Sequence, residues 1–329
     1  MKSMGFPELE ELKKKITDQA SVDNRIDYGL CDMLIAQATP LEDRQSIAFG
    51  HVWRAHHFFY TAMDLQSVSQ ELDAAQQWID EAVPCELLEK YYTLRHLLCE
   101  NSYNIQAAFG YCIKALETAE QAGLSFRVGA NYGNISHYYM DIYSFPEALH
   151  YSLKAREVLG ALPEPRPGWM RLLLINQVGI YLKLDKPELA REAIEELCTL
   201  PLKKKDLQVY VDYGYLLYYA ALGEQQKSLE HLQNMFEDGL LALPNRAYII
   251  ELLTNALEAM LRLRNEEQAL RLLVLLQERI PEDELERQLP LCQLQIQFVT
   301  LFGPADKLPV CYRRYYTLYM AEQEQTGRL

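Results

Sequence analysis

The chain has 329 residues, of which 49% are hydrophobic and 24% charged, a composition typical of a folded protein rather than a disordered one. Its 46 acidic residues outnumber its 32 basic ones, and the formal net charge of −14 argues against binding to a nucleic-acid backbone. The seven cysteines lack the paired spacing of a zinc or redox site, and neither an apolar signal segment nor a membrane-length apolar run is present, so we expect a cytoplasmic protein that does not enter a membrane.

Residues 1–40 are predicted to form two helices, over about residues 7–19 and 24–37, ahead of a helical repeat. These helices match the repeat only weakly. Because the terminal unit of a repeat array must cover an apolar face that would otherwise be exposed, we expect residues 1–40 to be an N-terminal cap.

Residues 41–308 are predicted to repeat one unit, a pair of amphipathic helices separated by a short break. The clearest copy is NYGNISHYYMDIYSFPEALHYSLKA (131–155), where Ser144 and Glu147 have the spacing of a capping box at the start of the second helix. Residues 168–197 repeat the pattern. Aligned on a small residue of the second helix, seven copies lie 38 to 42 residues apart, at Val68, Ala108, Ala148, Ala190, Ser228, Ala269 and Leu308.

The clearest copy resembles the tetratricopeptide repeat (TPR) family. The family's aromatic, apolar and small positions are matched by Tyr132, Ile135, Ser136, Tyr139, Ala148 and Ala155. The resemblance implies an all-α fold, an α-solenoid (superhelix) of about seven TPR-like hairpins with an N-terminal helical cap. The period of roughly 40 residues exceeds the usual 34 or so of the family and also fits HEAT or armadillo arrays, which stay open as an alternative.

In TPR arrays the first helix of each hairpin lines the concave groove, so the resemblance also implies binding residues. They are polar and aromatic, as suits contact with an extended peptide or a small ligand. The positions are Trp53, His57, Tyr60, Asn101, Asn134, His137, Asp141, Asn176, Lys183, Tyr213, Asn255, Glu258 and Arg262, with Thr93, Gln293 and Gln297 beside them. Asn134, Asn176 and Asn255 are equivalent in three units, and their amides either bind a ligand or pair with a neighbouring helix.

Motifs for catalysis are not found in these residues. The sequence contains neither HEXXH nor a Gly-rich phosphate loop nor a GxSxG elbow. His51, His56 and His57 do not have the spacing that brings three ligands together on one helix face. We therefore expect no enzymatic activity, no metal and no cofactor in this part of the chain, although an enzymatic site that no local motif reveals stays open as a third reading.

The segment CYRRYYTLYMAEQEQTGRL (311–329) is predicted to be helical, with a tyrosine stripe of Tyr312, Tyr315, Tyr316 and Tyr319. Long repeats, many tyrosines and a terminal helix resemble the N-terminal sensory TPR region of bacterial GGDEF-type signalling proteins. The resemblance implies that residues 309–329 link the repeats to a diguanylate cyclase, with a homodimer formed through this helix. The alternative is a complete protein that ends in a frayed helix.

These features together predict a TPR module that binds a peptide, a protein or a small ligand and regulates a cytoplasmic bacterial signalling protein. The second hypothesis is a structural scaffold that associates with itself and holds partners on its acidic convex face. Ligand binding would distinguish the two hypotheses, since only the first requires it.

Overall fold

The structure, a computed structural model, describes residues 6–23, 26–80, 82–102, 104–201, 204–243 and 246–325. Within these residues it is all-α and contains no strand. The helices are α1 (Pro7–Asp23), α2 (Tyr28–Ala38), α3 (Arg44–His57), α4 (Leu65–Gln76), α5 (Cys85–Asn101), α6 (Ile105–Gln121), α7 (Ser125–Asp141), α8 (Phe145–Gly160), α9 (Pro167–Lys183), α10 (Pro187–Leu197), α11 (Lys204–Leu222), α12 (Gln225–Glu237), α13 (Arg246–Arg262), α14 (Glu266–Arg279), α15 (Leu285–Phe302) and α16 (Leu308–Gln325).

The chain divides into two compact units, one of Met1–Tyr138 with Glu157–Pro163 and the other of Tyr139–Arg156 with Glu164–Leu329. In the first unit α3 packs against α4 and α5 packs against α6, and α5 also contacts both helices of the hairpin before it. In the second unit α9 pairs with α10, α11 with α12, α13 with α14 and α15 with α16. The first helices α9, α11, α13 and α15 contact one another in succession, which is the packing of a hairpin array.

The aligned residues of the second helices are buried in the structure. Six of the seven predicted anchors are fully buried, at Val68, Ala108, Ala148, Ala190, Ser228 and Ala269. The residues seven positions later are equally buried, at Ala75, Ala115, Ala155, Leu197, Met235 and Leu276. Small side chains at such positions let two helices pack closely, and the prediction of repeated helical hairpins is confirmed.

The seventh anchor is wrong. Leu308 is the first residue of α16 and is only half-buried. Cys311 is the buried small residue of this helix, and the Cys292 sulfur of α15 lies 3.7 Å from its backbone carbonyl oxygen. A single turn of 3₁₀ helix over Ala305–Lys307 separates α15 from α16, so the second helix begins later than the regular period requires.

The break inside a hairpin is a tight turn with one residue in the left-handed conformation. That residue is Tyr143, Asp185, Gly223 or Arg264, with φ of 60°, 56°, 78° and 55° respectively. In the SFP break two backbone N–H groups bond back into α7, from Tyr143 to the Met140 carbonyl and from Ser144 to the Tyr139 carbonyl. This is the pattern of a Schellman C-cap, which satisfies carbonyls that the end of a helix leaves unpaired.

The second helix of that hairpin begins beside the predicted capping box. The Ser144 hydroxyl donates to Glu147 Oε2 at 2.6 Å, and this hydrogen bond lowers the pKa of the Glu147 carboxyl. The stretch therefore forms two helices rather than one, as the sequence predicts.

The two N-terminal helices differ from their predicted bounds. α1 continues to Asp23, and α2 begins at Tyr28 because the Asp27 carboxylate caps it by accepting from the Gly29 N–H at 2.9 Å. Both helices contact α3 in the first unit. A buried cluster that includes Leu9, Ile16 and Ile47 fills the space between these three helices. That residues 1–40 act as a cap stays a prediction.

The seven cysteines are all free thiols. Four are buried, at Cys31, Cys112, Cys292 and Cys311, two are half-buried, at Cys85 and Cys99, and Cys198 is exposed. Burial raises the pKa of the Cys31 and Cys112 thiols to about 12. They are small core residues, because a thiol that stays protonated neither ligates a metal nor reacts readily.

Candidate functional site

A cleft lined by charged and apolar side chains lies against the first helices α5 and α7 in the first unit. We call it the first-unit cleft, and its volume is about 470 Å³. Its lining residues are Glu86, Glu89, Lys90, Leu124, Ser125, Phe126, Arg127 and Leu162. Through Lys90 the cleft adjoins α3, so three successive first helices contribute side chains to one neighbourhood.

Lys90 is one of the two basic residues that line this cleft. Its Nζ lies 3.9 Å from the centre of the Trp53 ring, a cation–π distance, and the structure records no carboxylate of the described residues within 4.0 Å of it. Burial, and secondly the positive charge of Arg127, lower the pKa of Lys90 to about 7, although Glu89 acts in the opposite direction. Close to neutral pH the amine is therefore near its midpoint of protonation.

Glu89 is buried but already has partners. Thr93 donates its hydroxyl to Glu89 Oε1 at 2.8 Å, and Arg127 Nε lies 3.6 Å from Glu89 Oε2. The buried carboxylate is thus satisfied by a hydroxyl and a guanidinium, as buried charges require. Lys90, the next residue on α5, is left without an anion of its own.

His56 lies behind Lys90 on α3. It is only 3% exposed, and its ring lies 5.0 Å from that of Trp53 and 4.6 Å from that of Tyr60. Its Nδ1 atom has no hydrogen-bond partner among the described residues. Burial, with smaller effects of Lys90 and Arg127, lowers the pKa of His56 to about 3, so the imidazole is neutral. A buried polar atom without a partner is uncommon and needs an explanation, of which an absent ligand is one.

Two of the thirteen predicted groove residues belong to this neighbourhood. Trp53 is nearly buried and forms the surface on which Lys90 rests, whereas Tyr60 is 46% exposed beside His56. The predicted His57 points elsewhere, because its Nδ1 lies 3.1 Å from the Ile26 carbonyl oxygen near the N-terminal helices.

Of the other predicted residues of the first unit, Asn101 bonds within its own helix and Asn134 contacts a neighbouring one. Asn101 donates to the Leu97 carbonyl of its own helix at 2.8 Å. Asn134 Nδ2 lies 3.4 Å from Nε2 of the buried His96, which belongs to the preceding hairpin. The predicted His137 is half-buried on the same helix as Asn134.

In the second unit the predicted groove residues do not form one cluster. Asn255 on α13 donates to the hydroxyl of the buried Tyr213 on α11 at 2.7 Å, which joins two successive hairpins. Arg262 is exposed, and one of its guanidinium nitrogens lies 3.5 Å from the Ala221 carbonyl. The remaining positions are exposed at Asp141, Lys183 and Glu258 and half-buried at Asn176.

The three histidines of α3 have different partners, as their spacing predicts. His51 Nδ1 lies 2.8 Å from Glu71 Oε2, His56 is enclosed by aromatic rings, and His57 contacts the Ile26 carbonyl. In the part of the chain that the structure describes, no group of three or more His, Cys, Asp or Glu side chains could hold a metal ion.

A second cleft, of about 630 Å³, lies in the second unit on α10, α11 and α12. The rings of Tyr215, Tyr219 and His231 stack there, with centroids 5.0 to 5.9 Å apart. Its cations are paired: Arg191 bonds Glu195 at 2.8 Å and Lys227 bonds Glu224 at 2.5 Å. Because these charges already have partners, this cleft is less suited to a charged ligand than the first-unit cleft.

Sequence reasoning missed Lys90, Arg127 and His56. Lys90 stands three residues before Thr93, a position that the family pattern does point to, and Arg127 stands seven residues before Asn134. Both are one or two helical turns from a predicted position on the same first helix. The repeat pattern alone does not point to them, because the pairing of side chains across helices is fixed only when the helices pack.

The fold is similar to that of several solved structures. NprR in complex with its cognate peptide NprX matches with a TM-score of 0.66 and 16% identity, over 94% of this chain and 88% of that chain. The apo form of the quorum sensor NprR from B. thuringiensis matches with a TM-score of 0.59 and 15% identity, over 98% and 93%. A Rap protein complexed with Competence and Sporulation Factor matches with a TM-score of 0.59 and 13% identity, over 97% of both chains.

At these identities the likeness concerns the fold, which is the TPR-like all-helical solenoid that the repeat predicts. No family model matches the chain, and no curated protein does. Among the described residues no helix is both long enough and apolar enough to cross a bilayer.

Proposed function

We propose that this chain is a peptide-binding sensor module that receives its ligand on the first helices of its hairpins. The observation that carries the proposal is the first-unit cleft and its neighbourhood. There His56 Nδ1 has no hydrogen-bond partner, and no carboxylate lies within 4.0 Å of Lys90 Nζ, among the described residues. Support also comes from the fold, because NprR, a quorum sensor of the same fold, is described with a bound peptide. Polar and aromatic side chains on adjacent helices suit the backbone and side chains of an extended peptide.

The proposed contact residues combine the predicted positions with those that the geometry adds. In the first unit they are Trp53, His56, Tyr60, Lys90, Asn134, His137 and Arg127, with Asn101 and His57 as supporting residues. In the second unit they are Asp141, Asn176, Lys183, Asn255, Glu258 and Arg262, with the buried Tyr213 as a supporting residue behind Asn255.

A peptide panel tests the proposal. Fluorescently labelled peptides of five to eight residues, varied at every position, are titrated with the protein and followed by polarisation. We expect a subset to bind, and Tyr60→Ala to weaken that binding by about tenfold, since an exposed aromatic at a binding surface contributes on the order of 1 to 2 kcal/mol.

The matched control is Leu153→Ala, which removes a similarly exposed apolar side chain from the second helix α8. It should bind the same peptides as the unmodified protein, and both variants should keep its melting temperature. A panel without a binder, or equal effects of the two substitutions, would count against the proposal.

The cellular role is a finer proposal. We propose that the module regulates a cytoplasmic bacterial signalling protein, for which the likeness to a quorum sensor is the support. A connection to a diguanylate cyclase rests on the sequence resemblance alone. The scaffold hypothesis predicts instead that no peptide binds while light scattering rises with protein concentration.

Self-association through the terminal helix belongs to the same proposal. Tyr312 and Tyr316 on α16 are 56% and 62% exposed, and Tyr315 stacks on Tyr319 with centroids 6.4 Å apart. Exposed aromatic rings on one helix are typical of a contact surface. Sedimentation of the protein with both tyrosines changed to Glu, next to the unmodified chain, tests whether a homodimer forms there.

A further inference from the structure

Three aromatic rings of the second cleft lie in nearly parallel planes. Tyr215 and Tyr219 of α11 stack on His231 of α12 at centroid distances of 5.0 and 5.5 Å, with 21° and 11° between the planes. All three residues are half-buried and line the cleft, so part of each side chain meets solvent there. Aligned rings of this kind offer flat faces on which a further flat ring can stack. None of the residues that line this cleft is a predicted groove residue.

His231 also offers a hydrogen-bond acceptor to the cleft. Its Nδ1 atom lies 2.7 Å from Oδ1 of Asp212, whose buried carboxylate also accepts from Gln208 and Asn234. An ionised carboxylate can only accept, so the neutral imidazole has its proton on Nδ1 and its lone pair on Nε2. Among the described residues the structure records no partner for Nε2, and the side chain is 23% exposed. A ligand with an O–H or N–H group could donate to this atom.

The charged side chains that line the cleft form two ion pairs. Arg191 lies 2.8 Å from Glu195, and Lys227 lies 2.5 Å from Glu224, so the two pairs leave no surplus charge for an ion to neutralise. Both basic side chains are more than half exposed, and Lys227 Nζ lies 4.9 Å from the centre of the Tyr219 ring. A cation beside a flat aromatic ring gains a cation–π interaction, which a saturated ring does not provide. The lining therefore favours a neutral aromatic ligand.

We propose that the second cleft is a binding site for a small neutral aromatic molecule that carries a hydroxyl or N–H group. The ring of this ligand stacks on Tyr215 and Tyr219, and its hydroxyl or N–H donates to Nε2 of His231. The cleft volume of about 630 Å³ lies within the range of small-molecule sites. The site goes beyond the peptide-binding function proposed above and does not depend on it.

Three probes of similar ring size test the two contacts on the unmodified chain. Phenol has a flat ring and a hydroxyl donor, anisole has the same ring without the donor, and cyclohexanol carries the hydroxyl on a saturated ring. We expect phenol to bind. Anisole and cyclohexanol should each bind at least about fivefold more weakly, because anisole lacks the hydrogen bond to His231 and cyclohexanol lacks the stacking.

The ring C–H signals of His231 report binding at this cleft directly. The full chain is labelled with ¹³C-histidine, and each Kd is measured from ¹H–¹³C spectra at pH 8, where phenol is uncharged. The protein has seven histidines, so the signal of His231 is identified by its loss in His231→Gln. Gln keeps an N–H donor for Asp212, which favours a folded variant.

Substitutions of the two tyrosines test the stacking from the side of the protein. Tyr215→Leu and Tyr219→Leu each remove one ring, so the Kd of phenol should rise by about fivefold or more. The matched control is Tyr151→Leu, which removes a tyrosine of α8 that stacks on Tyr139 at 5.5 Å outside the cleft. It should leave the Kd of phenol within about twofold of the native value. Thermal melting shows that each variant is folded.

Each result decides the inference. Phenol binding that exceeds that of both other probes and weakens in the two tyrosine variants supports it. Equal binding of phenol and anisole would overturn the hydrogen bond to His231, and equal binding of phenol and cyclohexanol would overturn the stacking. A His231 signal that no probe moves, or a loss of affinity in Tyr151→Leu as large as in Tyr219→Leu, would overturn the site. The peptide panel tests the proposed function separately, since its readout is Tyr60 in the other unit.

Discussion

Among the residues of the first helices, two asparagines join neighbouring hairpins. Asn134 contacts His96 and Asn255 contacts Tyr213, and in both cases the partner belongs to the preceding hairpin. The sequence left two roles open for these amides, ligand binding and helix pairing. In the structure helix pairing occupies one N–H of each amide. Among the described residues the structure records no other partner for these two amides, so the second N–H and the carbonyl oxygen are the groups that a ligand could meet.

The contact between Asn255 and Tyr213 predicts a loss of stability on truncation. Asn255→Ala leaves a buried hydroxyl without its donor, so we expect the free energy of unfolding to fall by about 1 to 2 kcal/mol. The matched control is Asn176→Ala, the equivalent position, where the structure records no side-chain hydrogen bond. Urea denaturation of both variants measures the difference, and an equal loss in the two would show that the Tyr213 contact contributes nothing.

Asp212 predicts a pH dependence of stability. Burial raises the pKa of this carboxyl, but hydrogen bonds from His231, Gln208 and Asn234 outweigh the burial, and the pKa is lowered. Because the pKa of Asp212 is lower in the folded chain than in the unfolded chain, where it is about 3.9, the ionised carboxylate stabilises the fold at pH values above about 3.9. This stabilisation is lost as the pH falls through the pKa of the folded chain. Asp212→Asn should therefore destabilise the protein at pH 7, by about 1 to 3 kcal/mol, and the difference should shrink below about pH 3.5.

Urea denaturation at pH 7 and pH 3 measures this change. Asp306→Asn, an exposed carboxylate outside the hairpin cores, is the control and should change stability little at either pH. If Asp212→Asn kept full stability at pH 7, the buried carboxylate would have no net effect on folding.

The residues of the first-unit cleft mark the limit of what the sequence predicts. Trp53 and Tyr60 follow from the family pattern, because helical periodicity tells which face of a helix is turned inward. Lys90 does not follow from it, since periodicity cannot tell whether a nearby Glu pairs with that lysine or with Arg127. Pairing depends on side-chain directions across three helices, and those directions are fixed only when the helices pack.

At the level of helices, periodicity and capping signals predicted the elements well and their ends less well. The SFP break was predictable because Ser144, Pro146 and Glu147 have the residue types and spacing of a helix start. The start of α16 was not, because the 3₁₀ turn over Ala305–Lys307 has no comparable signal. The ends of a helix depend on a few residues in such local turns, whereas the helix itself is predicted from a pattern that extends along its whole length.

The contact between α7 and α8 in the first unit predicts a specific intolerance. A Cβ atom added at Gly129 would lie 2.6 Å and 2.7 Å from two carbons of the Leu159 side chain. Gly129→Ala should therefore cost about 1 to 3 kcal/mol of stability through overpacking. Gly110→Ala on α6 is the matched control, because no atom lies within 4 Å of its added Cβ, and it should stabilise the helix by about 0.5 to 1 kcal/mol. Thermal and urea unfolding measure the change in stability of both variants. Losses of equal size would show that the Leu159 side chain moves aside at no cost in stability.

For the whole molecule, the repeat was the strongest signal. A period near 40 residues with small residues at fixed positions predicted the all-helical hairpin fold, and the solved structures of 13 to 16% identity share it. A sequence identity this low does not specify which residues bind a ligand. Packing restricts the residue types that fit between two helices, but it does not restrict the residue types on the surface, where a ligand binds. The fold was therefore predictable from the sequence to a greater extent than the site.

The net charge gives a prediction for the molecule as a whole. With a charge of −14 the protein should not retain a 30-base-pair DNA duplex in a gel-shift experiment, even at about 50 mM salt where such binding is strongest. A basic DNA-binding domain of similar size serves as the positive control. Retention of the duplex that weakens with added salt would show a local basic surface that the overall charge conceals.

The thiols differ in how far they are buried, and this difference allows one of them to be labelled selectively. Cys198 is exposed at the end of α10, and it acts electrostatically on Tyr215, a wall residue of the second cleft. A maleimide dye applied briefly at neutral pH should couple there ahead of the sheltered sulfurs, because alkylation requires both access and a thiolate. The native chain could thus carry a fluorophore beside the stacked rings of the second cleft without any mutagenesis. A change in its emission would report ligand binding or movement at that surface.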